Sequence, residues 1–250
     1  TCALPICERV VAAHARAGEV FRAQRVVSNV DPRRTAALAG DAAWAESLDY
    51  RYSCSNLTVY AAVKGIDLRD HGFGSFNLWH YPHDDLDRIY DDQGVRDDLS
   101  DPWLFVSTPD LHTDVPGLAP PGHQTLVMAT SCRYGFWRTM ADRGPEALKA
   151  AKEEALERLI GVLERYVPPL RAHLALAVLG TPLSNESFVR APFGNAYGMA
   201  LTPDQIGATG RRLPFETPYE NLWMVNATAG YPSVGGTVAS ALRLVDELEP

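Results

Sequence analysis

Hydrophobic and polar residues alternate along this chain with two periods, and each period predicts its own kind of element. From Tyr52 to Val63 the pattern alternates, with Leu57, Val59, Ala61 and Val63 on one face, as in a half-buried strand. After Pro145 they recur at helical spacing on one face until Pro168 and Pro169. Other short runs predict strands at 25–28, 103–108, 125–130 and 174–179, and a helix at 33–48. This mixed order of strands and helices indicates an α+β fold.

The segment 221–248 is the most informative part of the chain. Its pattern predicts a short apolar strand, a glycine-rich turn with Gly230, Gly235 and Gly236, and an amphipathic helix. The first backbone amides of such a helix and the positive end of its dipole favour the binding of a ligand that carries negative or polar oxygens. The chain contains no Gly-x-Gly-x-x-Gly fingerprint for the other end of a dinucleotide. We therefore expect this chain to supply one part of a cofactor site.

Composition narrows the class of protein. Hydrophobic residues make up 46% of the 250 residues, which is typical of a folded globular protein. A formal net charge of -8 disfavours nucleic-acid binding, because phosphate contacts need a basic surface. The four cysteines form no Cys-x-x-Cys pair, and no apolar run has the length of a membrane span. We expect a cytoplasmic protein whose contact with a membrane, where it exists, is peripheral.

Two other groups of residues carry candidate chemistry, each with a structural alternative. His80, His83, Asp84 and Asp85 are metal-capable, but Pro82 excludes a simple helical histidine pair, so we favour a solvated loop and expect no metal. Cys132 ends an apolar strand, where a cysteine is more often part of the core than a nucleophile.

The loop 191–198 leaves two interpretations open. Gly194 and Gly198 permit unusual backbone angles around Asn195 and Tyr197, as a loop needs where its main chain passes close to a flat ligand. A plain turn followed by a core tyrosine explains the same residues equally well.

The first residues carry a separate hypothesis. Residues 1–7 resemble the translation of a sequencing-library adapter, which would leave Cys2 and Cys7 without a role and make the chain part of a longer gene. The alternative is that these residues are a natural helix start.

Three segments, in order, resemble flavoenzymes of the phytoene desaturase, carotenoid isomerase and retinol saturase group. Residues 25–32 are similar to the group's Val-Val-Ser-Asn-x-Asp-Pro strand and turn. Residues 192–198 are similar to its Pro-x-Gly-x-x-Tyr-Gly segment, and 221–236 to its C-terminal flavin motif. The match departs at Tyr231-Pro-Ser-Val-Gly, where the group commonly has His-Pro-Gly-Gly-Gly.

The resemblance implies FAD as cofactor and the C-terminal part of a two-domain flavoenzyme. Residues 1–17 would be an N-terminal segment with no assigned role. Residues 18–50 would end the central FAD-domain segment and lead into the substrate domain, which would have a mixed sheet and comprise residues 51–190. Residues 191–250 would return to the α/β FAD domain. Carried over by position, Asn195 and Tyr197 would lie where flavin and substrate meet. The residues along the flavin would be Asn226, Ala227, Gly235, Gly236, Thr237 and Val238.

The implied chemistry is hydride or electron exchange between the flavin and a long apolar polyene or related lipid in a dry tunnel. The N-terminal half that holds adenosine and pyrophosphate is absent, so we expect the chain alone to be inactive and to bind FAD poorly. No residue is assigned to acid–base catalysis. Two alternatives stay open: an amine-oxidase-like flavoenzyme with an aromatic cage, and a non-catalytic module that binds a lipid or a partner.

Overall fold

The computed structural model describes residues 2–6, 9–113, 115–206 and 212–249, so that Thr1 and Cys7 of the suspected adapter segment lie outside the described residues. The strands are β1 (Cys2–Ile6), β2 (Arg9–His14), β3 (Val20–Phe21), β4 (Val26–Ser28), β5 (Ser55–Lys64), β6 (Leu78–His80), β7 (Leu104–Ser107), β8 (His123–Cys132), β9 (Leu174–Gly180) and β10 (Leu222–Met224). The helices are α1 (Pro32–Ala39), α2 (Ala42–Ser47), α3 (Leu86–Gly94), α4 (Tyr134–Asp142), α5 (Pro145–Leu163), α6 (Leu170–His173), α7 (Pro182–Val189), α8 (Pro203–Ile206) and α9 (Val234–Leu248).

The chain divides into two compact units. The first unit comprises Thr1–Ser53 and Tyr197–Pro250, and the second comprises Cys54–Ala196. The chain thus leaves the first unit once and returns to it, as a substrate domain inserted into a cofactor domain would require. Which ligand each unit binds stays a prediction.

The second unit is built on a five-stranded antiparallel sheet with the order β6-β7-β8-β5-β9. The alternating residues of β5 lie where their period predicts, with Leu57, Val59 and Val63 fully buried. They form one core with Leu159 and Leu163 of α5, the helix predicted after Pro145. One face of the sheet is therefore covered by helices, which leaves the other face to be considered as a binding surface.

The first unit contains a parallel pair, β10 beside β4, and an antiparallel sheet of β1, β2 and β3. Residues of the two sequence motifs thereby become neighbours, because Val26 pairs with Leu222 and Ser28 with Met224. Asn221 ties β2 to this pair: its Oδ1 accepts from the Val10 amide at 2.8 Å, and its Nδ2 donates to the Val10 carbonyl at 2.8 Å. The first unit therefore joins chain segments about 200 residues apart in the sequence.

The predicted helix 33–48 is wrong as a single element. Gly40 has a φ of 76°, and this left-handed residue ends α1. Asp41 then begins α2, because its side chain accepts a hydrogen bond from the Trp44 amide at 2.8 Å. The sequence interpretation also missed strands β1, β2, β3 and β6 and helices α4, α6, α7 and α8.

Candidate functional site

The turn between β10 and α9 is held by the side chain of Asn226, which is 7% exposed. Its Oδ1 accepts from the amides of Thr228 at 2.9 Å and Ala229 at 2.8 Å. Its Nδ2 donates to the Val30 carbonyl at 2.9 Å, and Asn29 donates in return to the Val225 carbonyl at 3.0 Å. The asparagines of the first and third motifs therefore clamp the two motifs together, and both polar atoms of the Asn226 side chain serve the protein backbone.

The second motif ends against the same turn. Gly198 has a φ of 71°, and a Cβ atom placed there would lie 2.4 Å from Oγ1 of Thr228. That hydroxyl oxygen accepts from the Met199 amide at 3.1 Å. Only glycine allows the chain to pass at this distance. The end of the second motif and the third motif are thus brought together within the first unit, as the resemblance implies.

The N-terminus of α9 combines a strained cap with two glycines in different surroundings. Ser233 caps the helix through a hydrogen bond from the Gly236 amide at 3.2 Å, and it has a φ of 79° and a ψ of 166°. This backbone region is essentially restricted to glycine, and the related motif has glycine here. A Cβ on Gly236 would meet Tyr231 at 2.8 Å, whereas Gly235 has nothing within 4 Å. Gly236 is needed for packing, and Gly235 faces open space.

The other predicted cofactor residues lie around this helix start. Val238 is exposed, whereas Ala227 is half-buried and Thr237 donates its hydroxyl to the Ser233 carbonyl at 2.8 Å. Among the described residues, no hydrogen-bond acceptor reaches the amides of Val234 and Gly235. Free amides and open space at a 15-residue helix are compatible with the polar oxygens of a flavin.

Asn195 and Tyr197 fall in different units. Asn195 is buried in the second unit, where its Nδ2 donates to the Pro192 carbonyl at 2.7 Å. Tyr197 belongs to the first unit, is exposed, and donates its amide to Oγ of Ser53 at 2.9 Å. The interpretation of Tyr197 as a core residue is therefore wrong, because its ring is open to solvent.

A cluster that the sequence interpretation missed surrounds Asp31. The phenols of Tyr50 and Tyr52 donate to its two carboxylate oxygens at 3.0 and 3.1 Å, and Arg33 lies 4.2 Å from the centre of the Tyr50 ring. Burial, reinforced by the charge of Asp31, raises the pKa of Tyr50 far above its ordinary value. Both tyrosines therefore act as neutral donors that fix the turn after β4.

The second face of the five-stranded sheet carries a group of apolar side chains beside polar side chains of β5 and β8. Register places Val127, Tyr60 and Val178 side by side on β8, β5 and β9, and Leu176 lies beside Ala62 in the next row. Tyr60, Val178 and Leu176 are exposed and Val127 is half-buried. An apolar patch of this kind on a folded unit is typical of a ligand or partner surface.

Aromatic rings extend this face over β6 and β7. Trp79 stacks on Tyr81 and on Trp103, with ring centres 6.2 and 5.8 Å apart, and is tilted against Phe105 at 5.0 Å. Trp79 is 53% exposed despite these contacts. An aromatic side chain that is fixed by its neighbours and still exposed can contact a flat, conjugated ligand.

The metal-capable residues at 80–85 make separate hydrogen bonds. His80 lies on β6, 7% exposed, with Nδ1 at 2.8 Å from the Tyr166 hydroxyl and Nε2 at 3.2 Å from Asp101. His83 accepts from the amide of Asp85. Within the described residues there is no group of three or more candidate metal ligands. Nothing in the sequence pattern could identify Tyr166, which lies 86 positions from His80.

Cys132 is a core residue, as predicted. It is 4% exposed, and burial raises the pKa of its thiol well above the ordinary value. A thiol buried in this way belongs to the core and is a poor nucleophile. In the described part of the chain, no helix has the length and apolar character needed to cross a membrane.

Comparison with known proteins gives two similarities. The chain is 22% identical over 200 residues to the all-trans-retinol 13,14-reductase of Danio rerio, a match that covers 75% of this chain and 32% of the reductase. The crystal structure of an oxidoreductase from Methanosarcina mazei matches with a TM-score of 0.57 and 17% identity, covering 98% of this chain and 48% of the other. No protein-family model matches the chain.

These similarities confirm the resemblance to the retinol saturase group and the α+β fold. Both proteins are oxidoreductases, so the chain resembles part of an oxidoreductase. It spans about a third of the length of the reductase and about half that of the structural neighbour.

Proposed function

We propose that this chain is the C-terminal part of an FAD-dependent oxidoreductase that acts on a retinoid-like polyene. The observation that carries the proposal is the assembly of the motifs in the first unit. The Asn29 and Asn226 clamp and the fit of Gly198 against Thr228 bring three distant segments to the start of α9. The similarity to a retinol reductase supports the same class of reaction.

The start of α9 fits one polar edge of a flavin. The free amides of Val234 and Gly235 would donate to its oxygens, and Gly235 leaves room for a close approach. Asn226 would act indirectly, by holding the turn that positions these amides. When bound, the flavin supplies hydride or electron exchange with a conjugated or allylic carbon of the substrate.

The apolar sheet face supports the substrate class. Tyr60, Val178 and Leu176 offer apolar contacts along two rows of the sheet, and the ring of Trp79 offers a stacking surface. A long polyene would gain from both, because its chain is apolar and its conjugated part is flat. These residues would orient the substrate and exclude water from it.

The rest of the cofactor site would come from a further part of the same protein. α9 carries exposed apolar residues on one side, with Val234 85% and Leu242 63% exposed, and Val27 of β4 is 53% exposed although β4 pairs with β10. Parallel sheets are normally buried on both faces and have more than two strands. We propose that the segment holding the adenosine and pyrophosphate of FAD covers these residues.

The test is made on the protein extended upstream to a Gly-x-Gly-x-x-Gly segment. We expect the extended protein to be purified with FAD, measured by flavin absorbance. Gly235→Asp should remove the FAD without unfolding α9, because a carboxylate is favourable for folding at a helix N-terminus but repels flavin oxygens. Ala37→Asp, at an exposed position of α1, is the control and should retain FAD. A folded extended protein without FAD, or a Gly235→Asp variant that keeps it, would refute the cofactor proposal.

The substrate class is tested separately, on the 250-residue chain. All-trans-retinol should quench tryptophan fluorescence on binding, and Val178→Asp together with Tyr60→Asp should weaken that binding. Ala150→Asp on the exposed side of α5 is the control. Equal binding by all three proteins would show that the sheet face is not the site. Binding of retinol by an extended protein that lacks FAD would favour the non-catalytic lipid-binding module.

A further inference from the structure

The second face of the five-stranded sheet changes its character along the direction of β5. The buried side chains of this strand are those of the odd-numbered residues, so the even-numbered side chains lie on the second face. They are, in order, Asn56, Thr58, Tyr60 and Ala62. The face therefore offers polar contacts at the start of β5 and apolar contacts further along it.

Hydrogen bonds fix the polar side chains in place. Asn185 of α7 donates from Nδ2 to Oδ1 of Asn56 at 3.0 Å, and Nδ2 of Asn56 donates to Oγ1 of Thr58 at 2.7 Å. Ser131 of β8 lies directly opposite Asn56, and its hydroxyl accepts from Nε1 of Trp103 at 2.9 Å. We refer to Asn56, Thr58 and Ser131 as the polar end of the face. Because these side chains are held before a ligand arrives, little freedom is lost when one binds.

The polar end has hydrogen-bonding capacity that the protein does not use. Oγ1 of Thr58 and Oγ of Ser131 each accept one hydrogen bond, and within the described residues neither hydroxyl donates its proton to a partner. Thr58 is half-buried, and its neighbours across the strands are the small residues Ala129 and Gly180. The Thr58 hydroxyl is therefore accessible to an oxygen atom of a ligand that lies on the face.

We propose that the polar end binds the alcohol group of a polyene alcohol and so fixes the direction in which the polyene lies along β5. This inference rests on the proposed substrate class. The alcohol oxygen accepts the proton of the Thr58 hydroxyl, and the apolar chain extends past Tyr60 towards Ala62 and its neighbour Leu176. A strand rises about 3.3 Å per residue, so the distance from Thr58 to Ala62 is about 13 Å, which several conjugated bonds cover. A few fixed polar groups in an apolar site commonly set the orientation of a ligand.

The charges on the face favour an alcohol over a carboxylate at the polar end. In the strands of this sheet, all of which are described, the second face carries no charged side chain between Asn56 and Ala62. Lys64 lies beyond Ala62, opposite His123, at the other end of β5. A carboxylate at the polar end would have no cation beside it, and its desolvation would be costly. The polar end therefore fits an uncharged oxygen.

The experiment compares the binding of two ligands to the 250-residue chain. They are all-trans-retinol and the hydrocarbon in which hydrogen replaces its hydroxyl group, and quenching of tryptophan fluorescence gives both dissociation constants. Thr58→Val removes the hydroxyl with little change of shape, so it should weaken retinol binding about three- to tenfold and leave hydrocarbon binding unchanged. Thr58→Ser retains the hydroxyl and should bind retinol like the parent chain. Circular dichroism of each variant verifies that it is folded.

Two control variants test the position and the direction of the alcohol group. Ser107→Ala removes a half-buried hydroxyl from β7 on the same face, and Lys64→Gln removes the cation at the other end of β5. Both should bind retinol like the parent chain. The inference is overturned if Thr58→Val weakens both ligands equally or weakens neither, or if Lys64→Gln weakens retinol binding instead. Failure of the proposed substrate class is distinguishable, because the parent chain would then bind neither ligand, and the inference would fall with it.

Discussion

Gly235 and Gly236 are adjacent at the start of α9, and the structure predicts opposite effects of alanine at the two positions. Alanine in place of glycine stabilises a helix by about 0.5–1 kcal/mol. At Gly235 nothing lies within 4 Å of the new methyl group, so the gain is retained. At Gly236 the methyl group would be 2.8 Å from Cβ and 2.9 Å from the carbonyl oxygen of Tyr231.

The contact at Gly236 is costly because the atoms it meets are fixed. Tyr231 is held by its amide, which donates to Oγ of Ser240 at 2.9 Å, and the Arg212 guanidinium lies 4.0 Å from the centre of its ring. Overpacking of this kind destabilises by about 1–3 kcal/mol. After the helix gain is subtracted, Gly236→Ala should destabilise α9 by about 1–2 kcal/mol, and Gly235→Ala should stabilise it by about 0.5 kcal/mol.

The assay is hydrogen exchange of peptides that cover α9. Denaturation of the whole chain is less suitable, because two compact units need not unfold in one transition, whereas exchange reports the opening of each segment. Since 1.4 kcal/mol corresponds to a factor of ten, amides of α9 should exchange about tenfold faster in Gly236→Ala and slightly more slowly in Gly235→Ala. Peptides of α5 in the second unit are the internal control. Equal protection in the two variants would refute the different roles of these glycines.

Three further predictions concern residues of the same two units. Ser233→Gly should slow hydrogen exchange in α9. The substitution relieves backbone strain of about 1–3 kcal/mol, whereas loss of the serine cap costs only a few tenths of a kcal/mol. Faster exchange would show that Ser233 is not strained. Asn226→Ala should destabilise β10 by about 1–3 kcal/mol, because the amides of Thr228 and Ala229 lose their acceptor. Exchange of that strand should change much less in Asn29→Ala, which loses one bond. Burial raises the pKa of Asp101, but hydrogen bonds from Arg165 and His80 outweigh it and lower the pKa overall. The stabilisation by Asp101 is therefore present above the unfolded-state pKa and is lost as the pH falls through the lower folded-state value. Amides of β6, whose His80 contacts Asp101, should exchange faster in Asp101→Asn than in the parent chain at pH 7, and the two proteins should become alike in acid.

The sequence was most informative where one period determines the environment of a residue. β5 and α5 follow such a period, and their buried faces are the predicted ones. Gly40 divides the predicted helix 33–48 because its left-handed backbone and the Asp41 cap outweigh the helical pattern around them. The partners of His80 and Asn226 could not be predicted, because Tyr166 and Val30 reach them only through the tertiary fold.

The motif residues carried over from the flavoenzymes separate in the structure into two physical roles. Asn226 and Gly236 hold the turn, one through three hydrogen bonds and the other by leaving no space for a side chain. Gly235 and Val238 face solvent, so only they can be altered without first disturbing the fold. A variant of Asn226 that loses FAD would consequently say little about cofactor contact. The strand–turn–helix is a flavin site only if a substitution at Gly235 removes the cofactor and leaves α9 folded.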